Sequence, residues 1–423
     1  MKDNLKFKKI ILIVIDSFGI GQAKDAALYN DEGADTFGHI FEQFPNIKLP
    51  TLYDLGLGEL HPSVNYKQKM GYSLKLNESS YSKDTLTGHW EMMGIKTTVS
   101  LKTFTDTGFP VDLIRELESL TNHVFIGNKN ASGTSIIQEL GEEEIRSKGK
   151  KLIIYTSEDS VMQICGHELV TGLDELYRCC KIARQLTMRE EYKVGRVIAR
   201  PYIGNDKNTF ERTANRRDFT IKPPQETVLD ILKLNGYDVW SIGKINDIFC
   251  GNGISRETHS KTSFEGMLQT IEQAKEDFTG LLFVNLVDFD SKWGHRRDVR
   301  GYANELEKFD SLLQVLLNTI SNDTLVIVTA DHGNDPTFKG YNHTRECVPC
   351  LMFSKTMKEY GVLEEADSFS VIGMTILDNF NLKKKSYMEG ESLLDKMIFF
   401  NTKYDIWSQN VIISSWKRTV IYQ

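Results

Sequence analysis

The sequence predicts an α/β fold, and three observations carry that expectation. Short runs of Ile, Val, Leu and Phe recur without apolar–polar alternation and stop abruptly at polar residues: "KIILIVID", "KLIIYTSEDS", "DVWSIGK", "LLFVNLVDFD" and "TLVIVTADHGND". Such runs read as strands of a parallel sheet buried on both faces. Between the last two, Tyr302, Leu306, Phe309, Leu313, Leu316 and Ile320 recur every three or four residues, one apolar stripe of a helix facing that sheet. Third, the strands end in acid, at Asp16, at Asp288 with Asp290, and at Asp331 with His332. In open sheets of this class ligands bind beyond the carboxyl ends of the strands, where loops converge and helix N-termini point.

Length and charge narrow the setting. A chain of 423 residues is too long for one small core and implies more than one domain. The balance of 51 basic against 58 acidic side chains, net −7, argues against a general coat for nucleic acid or anionic membrane. The opening apolar run, Ile10 to Ile15, is too short for a signal or a span, and no other run approaches membrane length. A cytoplasmic protein is expected, acting on small molecules as a monomer or weak homo-oligomer. Its six cysteines are few and scattered, as reduced thiols are. Cys347 and Cys350 form one CxxC, but in the strand-like run "CVPCLMF" and with no second pair to complete a zinc site.

The region 100–219 has a different texture. It carries "GNKNASGT" and the strand "LIIYTSEDS", and its basic span Lys193 to Arg217 holds Lys193, Arg196, Arg200, Lys207, Arg212, Arg216 and Arg217 against Asp206 and Glu211. Candidate site residues lie both before residue 100 and after 280, so this region reads as an insertion. The expected organisation is core 1–99, inserted α+β domain 100–219, core 220–395 and C-terminal extension 396–423. In the extension, "IFFNTKYDIWSQNVIISSW" is too apolar to stay exposed and is expected to pack on the core.

Two nucleotide motifs fail. "GIGQAK" starts like a dinucleotide fingerprint, but Lys24 stands at its third glycine position, and no GxxxxGK[ST] occurs. The stronger signal is Asp16, Asp290, His295, Asp331, His332 and His343. Singly, each has an ordinary explanation as a cap or a hydrogen-bonded structural residue. Concentrated at strand ends, mixed oxygen and nitrogen donors suit two divalent ions of the manganese or zinc kind. Such a pair can hold both oxygens of an in-line phosphoryl displacement. The stretch "KDTLTGHWE" adds Thr85 and Thr87, either turn hydroxyls or a nucleophile, and the local sequence leaves that open.

The chain closely resembles the phosphopentomutases of the alkaline phosphatase superfamily. The resemblance rests on "IVIDSFGIGQAKDA", "GADTFGHI", "KDTLTGHWEMMG", "GNKNASGT", "YTSEDSVMQI", "VGRVIARPYIG", "SIGKINDI", "NLVDFDSKWGHRRD", "TADHGNDPT" and "NHTRECVP", in family order from about residue 8 to 395. It implies an alkaline-phosphatase-like core, a mostly parallel sheet flanked by helices, under an inserted cap. It also implies exchange of phosphate between the 1- and 5-positions of ribose or deoxyribose through a 1,5-bisphosphate. Two Mn2+ are implied, one on Asp290, His295 and His343 and the other on Asp16, Asp331 and His332. The implied phosphorylated nucleophile is Thr85, and Ser157, Asp159, Arg196, Ile198, Arg212 and Lys244 fall where the family binds sugar phosphate. A sugar bisphosphate such as ribose 1,5-bisphosphate or glucose 1,6-bisphosphate would prime the threonine. The chain departs from the family pattern at Asn130, Asn342, Cys347 and Cys350, none of them an implied ligand. The competing readings are a related metal-dependent phosphatase or phosphoglycerate mutase and, from another class, a non-catalytic sugar-phosphate-binding protein. The stretches "VGRVIARP" and "SIGKINDI" favour the pentomutases.

Overall fold

A computed structural model of the protein describes residues 5–157 and 160–400. Among the described residues fourteen strands run in chain order: β1 Lys9–Ile15, β2 Tyr72–Leu76, β3 Val124–Asn130, β4 Lys151–Thr156, β5 Val161–His167, β6 Arg196–Ile203 and β7 Glu211–Arg212. They continue with β8 Arg217–Thr220, β9 Asp238–Ile242, β10 Arg256–Thr258, β11 Gly280–Leu286, β12 Thr324–Thr329, β13 Val348–Phe353 and β14 Gly361–Val362.

The larger sheet has the order β10-β9-β11-β1-β12-β13-β2-β14. Neighbours from β10 through to β12 pair in parallel, while β13 is antiparallel to both β12 and β2. β1, β11 and β12 are buried at every position, which is why their sequences lack alternation. The expected helix forms over Val299–Thr319, with Tyr302, Leu306, Phe309, Leu313 and Leu316 buried, and packs on the helix Ser263–Lys275, which lies on β11. The fold is thus mixed α/β around a largely parallel central sheet, as the apolar runs predicted.

The second sheet lies in sequence between β2 and β9, with the order β3-β4-β5-β6-β7 and β8 on β6. The run "KLIIYT" belongs here and not to the parallel sheet: β4 is parallel to β3 but antiparallel to β5. Its alternate residues divide between two cores. Leu152 and Ile154 join Leu113, Leu117 and Leu176 on one face, and Ile153 and Tyr155 join Ile136 and Ile137 on the other. Two-residue periodicity sends neighbours to opposite faces, so this sheet carries helices Val111–Thr121 and Leu173–Leu186 on one side and Gly133–Arg146 on the other.

Past residue 396 the chain begins to pack on the core: Met397 is buried and Phe399 meets Phe7 edge-on at 5.4 Å. The rest of the expected extension, 401–423, lies outside the described residues, as does Asp159. Among the described residues no helix is long and apolar enough to cross a membrane.

Candidate metal centre and phosphoryl-transfer site

Three strand ends converge. β1 runs into Asp16, β11 into a π-helical turn, Phe289–Gly294, holding Asp290, and β12 into Asp331 and His332. Asp16, Asp331 and His332 are essentially inaccessible to solvent. Ser17 takes φ 75°, a left-handed conformation that costs a non-glycine residue about 1–3 kcal/mol. That turn aims its N–H at Asp331 Oδ1 (3.0 Å) and its carbonyl at the Asn334 N–H (3.2 Å). Asn334 Nδ2 in turn donates to Asp290 Oδ1 (2.8 Å), and Asn285 Nδ2 donates to Asp16 Oδ2 (3.0 Å).

The histidines face inward by a shared device. Nδ1 of His295 lies 2.9 Å from the Tyr341 carbonyl, that of His343 3.0 Å from the Lys83 carbonyl, and that of His332 3.0 Å from the Gly333 carbonyl. A carbonyl only accepts, so each Nδ1 carries the proton and each Nε2 presents its lone pair. This is how metal-binding imidazoles are oriented. The Nε2 atoms of His295 and His343 stand 3.1 Å apart, and those atoms lie 3.3 Å from the two oxygens of Asp290. His332 Nε2 is 3.6 Å from Asp16 Oδ1 and 3.3 Å from Asp331 Oδ2, and its ring stacks on His343 at 3.9 Å.

The electrostatics match the crowding. Burial and the charges of Asp331 and Asp290 push the Asp16 carboxyl up. Asp16 Oδ1 and Asp331 Oδ2 are buried with no hydrogen-bond donor. Lone-pair nitrogens facing one another and orphaned carboxylate oxygens are what a site for divalent cations requires. The donors form two overlapping groups, Asp290 with His332 and His343, and Asp16 with Asp331 and His332, each with ligand atoms within 4.8 Å of one another. A third group, His123, Glu175 and Cys179, differs, since Arg178 already grips both oxygens of Glu175.

The stretch "KDTLTGHWE" becomes intelligible residue by residue. Asp84 caps the helix Thr85–Met92, accepting from the Leu86 and Thr87 N–H groups. Thr85 Oγ1 lies 3.2 Å from His332 Nε2, whereas Thr87 is fully buried with its hydroxyl on the Asp84 carbonyl. Gly88 rests against the Asp331 carbonyl, where a Cβ would sit 2.2 Å away. His89 donates from Nδ1 to the Thr85 carbonyl (2.8 Å), and Trp90 Nε1 donates to the Ile248 carbonyl (3.1 Å). Glu91 accepts from the backbone N–H groups of Ser79, Ser80 and Phe369, fixing the far end.

Thr85 opens onto a cavity of about 1110 Å³ lined on one side by Asp290, His295 and His343 and on the other by residues of the second sheet. Ser157, Arg196, Ile198 and Lys244 line it. Arg212 is exposed on β7, with Nη1 beside Gly133, and is not among the lining residues. Arg200, Arg216 and Arg217 do line the cavity. Sequence reasoning held them only as members of a basic span; Arg200 shares the even positions of β6 with Arg196 and Ile198, and that spacing was the signal that would have selected it. Arg200 donates to Gln163 Oε1 (2.9 Å), and Arg216 is bidentate to Asp218. Burial and the neighbouring Arg216 hold the pKa of Arg200 below its ordinary value. Asn285, Asn334 and His89 were also missed, because nothing local marks an amide or an imidazole that supports other side chains.

Fold and site together define a metal-dependent α/β enzyme. The Metalloenzyme superfamily model matches residues 8–384, and the chain belongs to that superfamily. It is 53% identical over 396 residues to the phosphopentomutase of Clostridium beijerinckii, covering 93% of this chain and 100% of that one, and 53% identical over 395 residues to that of Agathobacter rectalis, with the same coverage. Within the superfamily the chain belongs to the phosphopentomutases, which are isomerases. Among solved structures, Leishmania mexicana phosphoglycerate mutase covers 94% of this chain and 99% of its own at 13% identity and a TM-score of 0.49.

Proposed function

We propose that the chain interconverts (deoxy)ribose 1-phosphate and (deoxy)ribose 5-phosphate, with Thr85 carrying the phosphoryl group between half-reactions. The observation that best supports this is the setting of Thr85: first residue of a helix, 3.2 Å from His332 Nε2, on a cavity whose opposite wall is basic. Asp290, His295 and His343 would hold one cation and Asp16, Asp331 and His332 the other, two Mn2+ in this reading. When bound, such a pair supplies positive charge at the transferring phosphoryl group and lowers the pKa of a nearby hydroxyl.

The chain's own residues do the rest by alignment. Phospho-Thr85 gives its phosphoryl group to the free hydroxyl of a pentose monophosphate. The P–O bond to threonine breaks, one to the sugar forms, and the hydroxyl proton passes in net to Thr85. The 1,5-bisphosphate reorients and returns its other phosphoryl group to Thr85, leaving the isomerised monophosphate. A helix N-terminus favours the negative charge stored there. Arg196 and Lys244, joined by Arg200 and Arg216, hold the distal phosphate, for which guanidinium groups are suited, and Arg212, off the cavity wall, is left out of that grip. Ser157 and Asp159 fix sugar hydroxyls beside Ile198. Residues 100–219 act as a cap that excludes water and so suppresses hydrolysis. Ribose 1,5-bisphosphate or glucose 1,6-bisphosphate primes Thr85. Six unpaired cysteines suit a cytoplasmic enzyme, acting as a monomer or weak homo-oligomer.

The test is to incubate manganese-loaded protein with ribose 5-phosphate and a catalytic amount of sugar bisphosphate, following ribose 1-phosphate by phosphorus NMR. Bisphosphate-dependent isomerisation is expected. Release of inorganic phosphate alone would replace this reading with a phosphatase.

A further inference from the structure

The loop 339–342, which leads into His343, is exposed along its length and so lacks apolar anchorage. Its backbone is held by polar contacts from the segment after β11. Arg297 Nε donates to the Gly340 carbonyl (2.8 Å), His295 Nδ1 to that of Tyr341 (2.9 Å), and Arg297 Nη2 reaches that of Asn342 at 3.5 Å. The guanidinium also lies over the Tyr341 ring, 5.6 Å from its centroid. The Nη1 of the same side chain donates to the Gly294 carbonyl (3.1 Å), to Asn334 Oδ1 (2.7 Å) and to the Asp335 carbonyl (2.9 Å). By taking Asn334 Oδ1 it fixes the amide so that Nδ2 faces Asp290. One side chain therefore binds three segments, which carry Asp290 and His295, Asp331 and His332, and His343. Arg297 itself takes φ 57°, a left-handed conformation unusual for a residue with a Cβ, and it does not line the cavity.

We infer that Arg297 is a positioning residue, a clamp that holds the three ligand-bearing segments in register for metal binding without touching substrate. The inference rests on the metal-site reading above. Only arginine suits the place, because a planar fork with five donors can reach carbonyls of several segments at once, whereas lysine offers one compact ammonium. Loss of such an outer hydrogen-bonding partner typically weakens metal binding about 10–100-fold.

The test strips the protein with a chelator and titrates it with manganese alone by calorimetry. Arg297→Met is expected to bind at least about tenfold more weakly than wild type and Arg297→Lys to fall between them. Hydrogen exchange of the metal-free Arg297→Met protein should quicken at 339–343 while β1 and β12 keep wild-type protection. Excess manganese should restore turnover. Wild-type manganese affinity in Arg297→Met would overturn the clamp. If that variant does not fold, wild-type affinity in Arg297→Lys overturns it equally. A wild-type protein that binds no manganese would sink the metal reading itself, an outcome distinct from one in which wild type and variants bind alike.

Discussion

Gly88→Ala is the smallest change that should separate folding from catalysis in this protein. A methyl at this position would lie 2.2 Å from the Asp331 carbonyl oxygen, where ordinary contact begins at 3.4 Å, so about 1 Å must open between the helix Thr85–Met92 and the end of β12. The obstacle is backbone and cannot rotate away. Thr85 stands on the same helix face three residues earlier. The displacement therefore falls on the distance between its hydroxyl and His332. For stability, overpacking costs about 1–3 kcal/mol, and the better helix propensity of alanine returns about 1 kcal/mol. The fold should survive with a net loss of about 2 kcal/mol or less. For catalysis, a 1 Å misplacement costs about a hundredfold in rate. Turnover of ribose 5-phosphate, read by phosphorus NMR beside a urea melt, distinguishes the two. Gly361→Ala, with no atom within 4 Å of the new methyl, is the control and should be unchanged. A Gly88→Ala enzyme with wild-type kcat would refute the claim that this contact sets the position of Thr85.

Three further outcomes are expected. Protein treated with a sugar bisphosphate should gain one phosphoryl mass on the peptide "DTLTGHWEMMG"; Thr85→Ala should lose that mass and turnover but keep its metal, while buried Thr87→Ala should keep the mass, and a label on Thr87 would reverse the assignment. Lys244→Ala should lower kcat/KM about ten- to a hundredfold, the worth of one charge-assisted contact of about 1.5–3 kcal/mol, with metal content by elemental analysis unchanged; wild-type kinetics would remove it from the distal phosphate. Burial lifts the Glu346 carboxyl from its ordinary 4.5 to about 7 in the fold, with Thr344 and Thr36 partly offsetting the shift. The folded protein thus holds a proton that the unfolded chain has released between those values, so the stabilising contribution is full below about pH 4.5 and is lost as pH rises through 7; urea midpoints of metal-free protein should show this fall in wild type and not in Glu346→Gln.

The strands of the parallel sheet were legible because burial on both faces leaves an unbroken apolar run. The donors at their ends were legible because Asp16, Asp290 and Asp331 follow such runs directly. The reversed direction of β13 was not, since "CVPCLMF" reads the same in either direction and its pairing with β12 and β2 is set by long-range packing. The inserted region 100–219 already held "LIIYT", but the pairing of β4 was hidden for a similar reason: with helices on both faces the run loses the alternation that would have separated it from β1. Thr85 and Thr87 could not be told apart locally. The difference is which face of the helix meets Asp331, and Gly88 decides that only once β12 lies beside it. The supporting groups Asn285, Asn334, His89 and Arg297 are ordinary polar residues in sequence and acquire their roles from partners up to several hundred positions away.

What separates the metal-like cluster from the other buried charges is the chemistry of the partners. Arg345 is almost wholly buried, yet its guanidinium is matched by Asp25 (2.9 Å), by Glu78 (2.6 Å) and by the carbonyls of Glu78 and Ser82. There a cation of the chain faces the carboxylates, although Glu78 Oε1 keeps no hydrogen-bond partner, and the set braces the turn that leads into Asp84 and Thr85. Glu175 is closed likewise by Arg178. Asp16, Asp290 and Asp331 instead receive hydrogen bonds from Asn285, Asn334 and the Ser17 backbone, amide donors that orient a carboxylate without neutralising it. The imidazoles beside them are held with lone pairs inward by carbonyls. Burying like charges with only neutral donors is unfavourable for the metal-free fold. A cation that binds the folded chain and not the unfolded one offsets that cost, so occupancy of this centre and global stability should rise together.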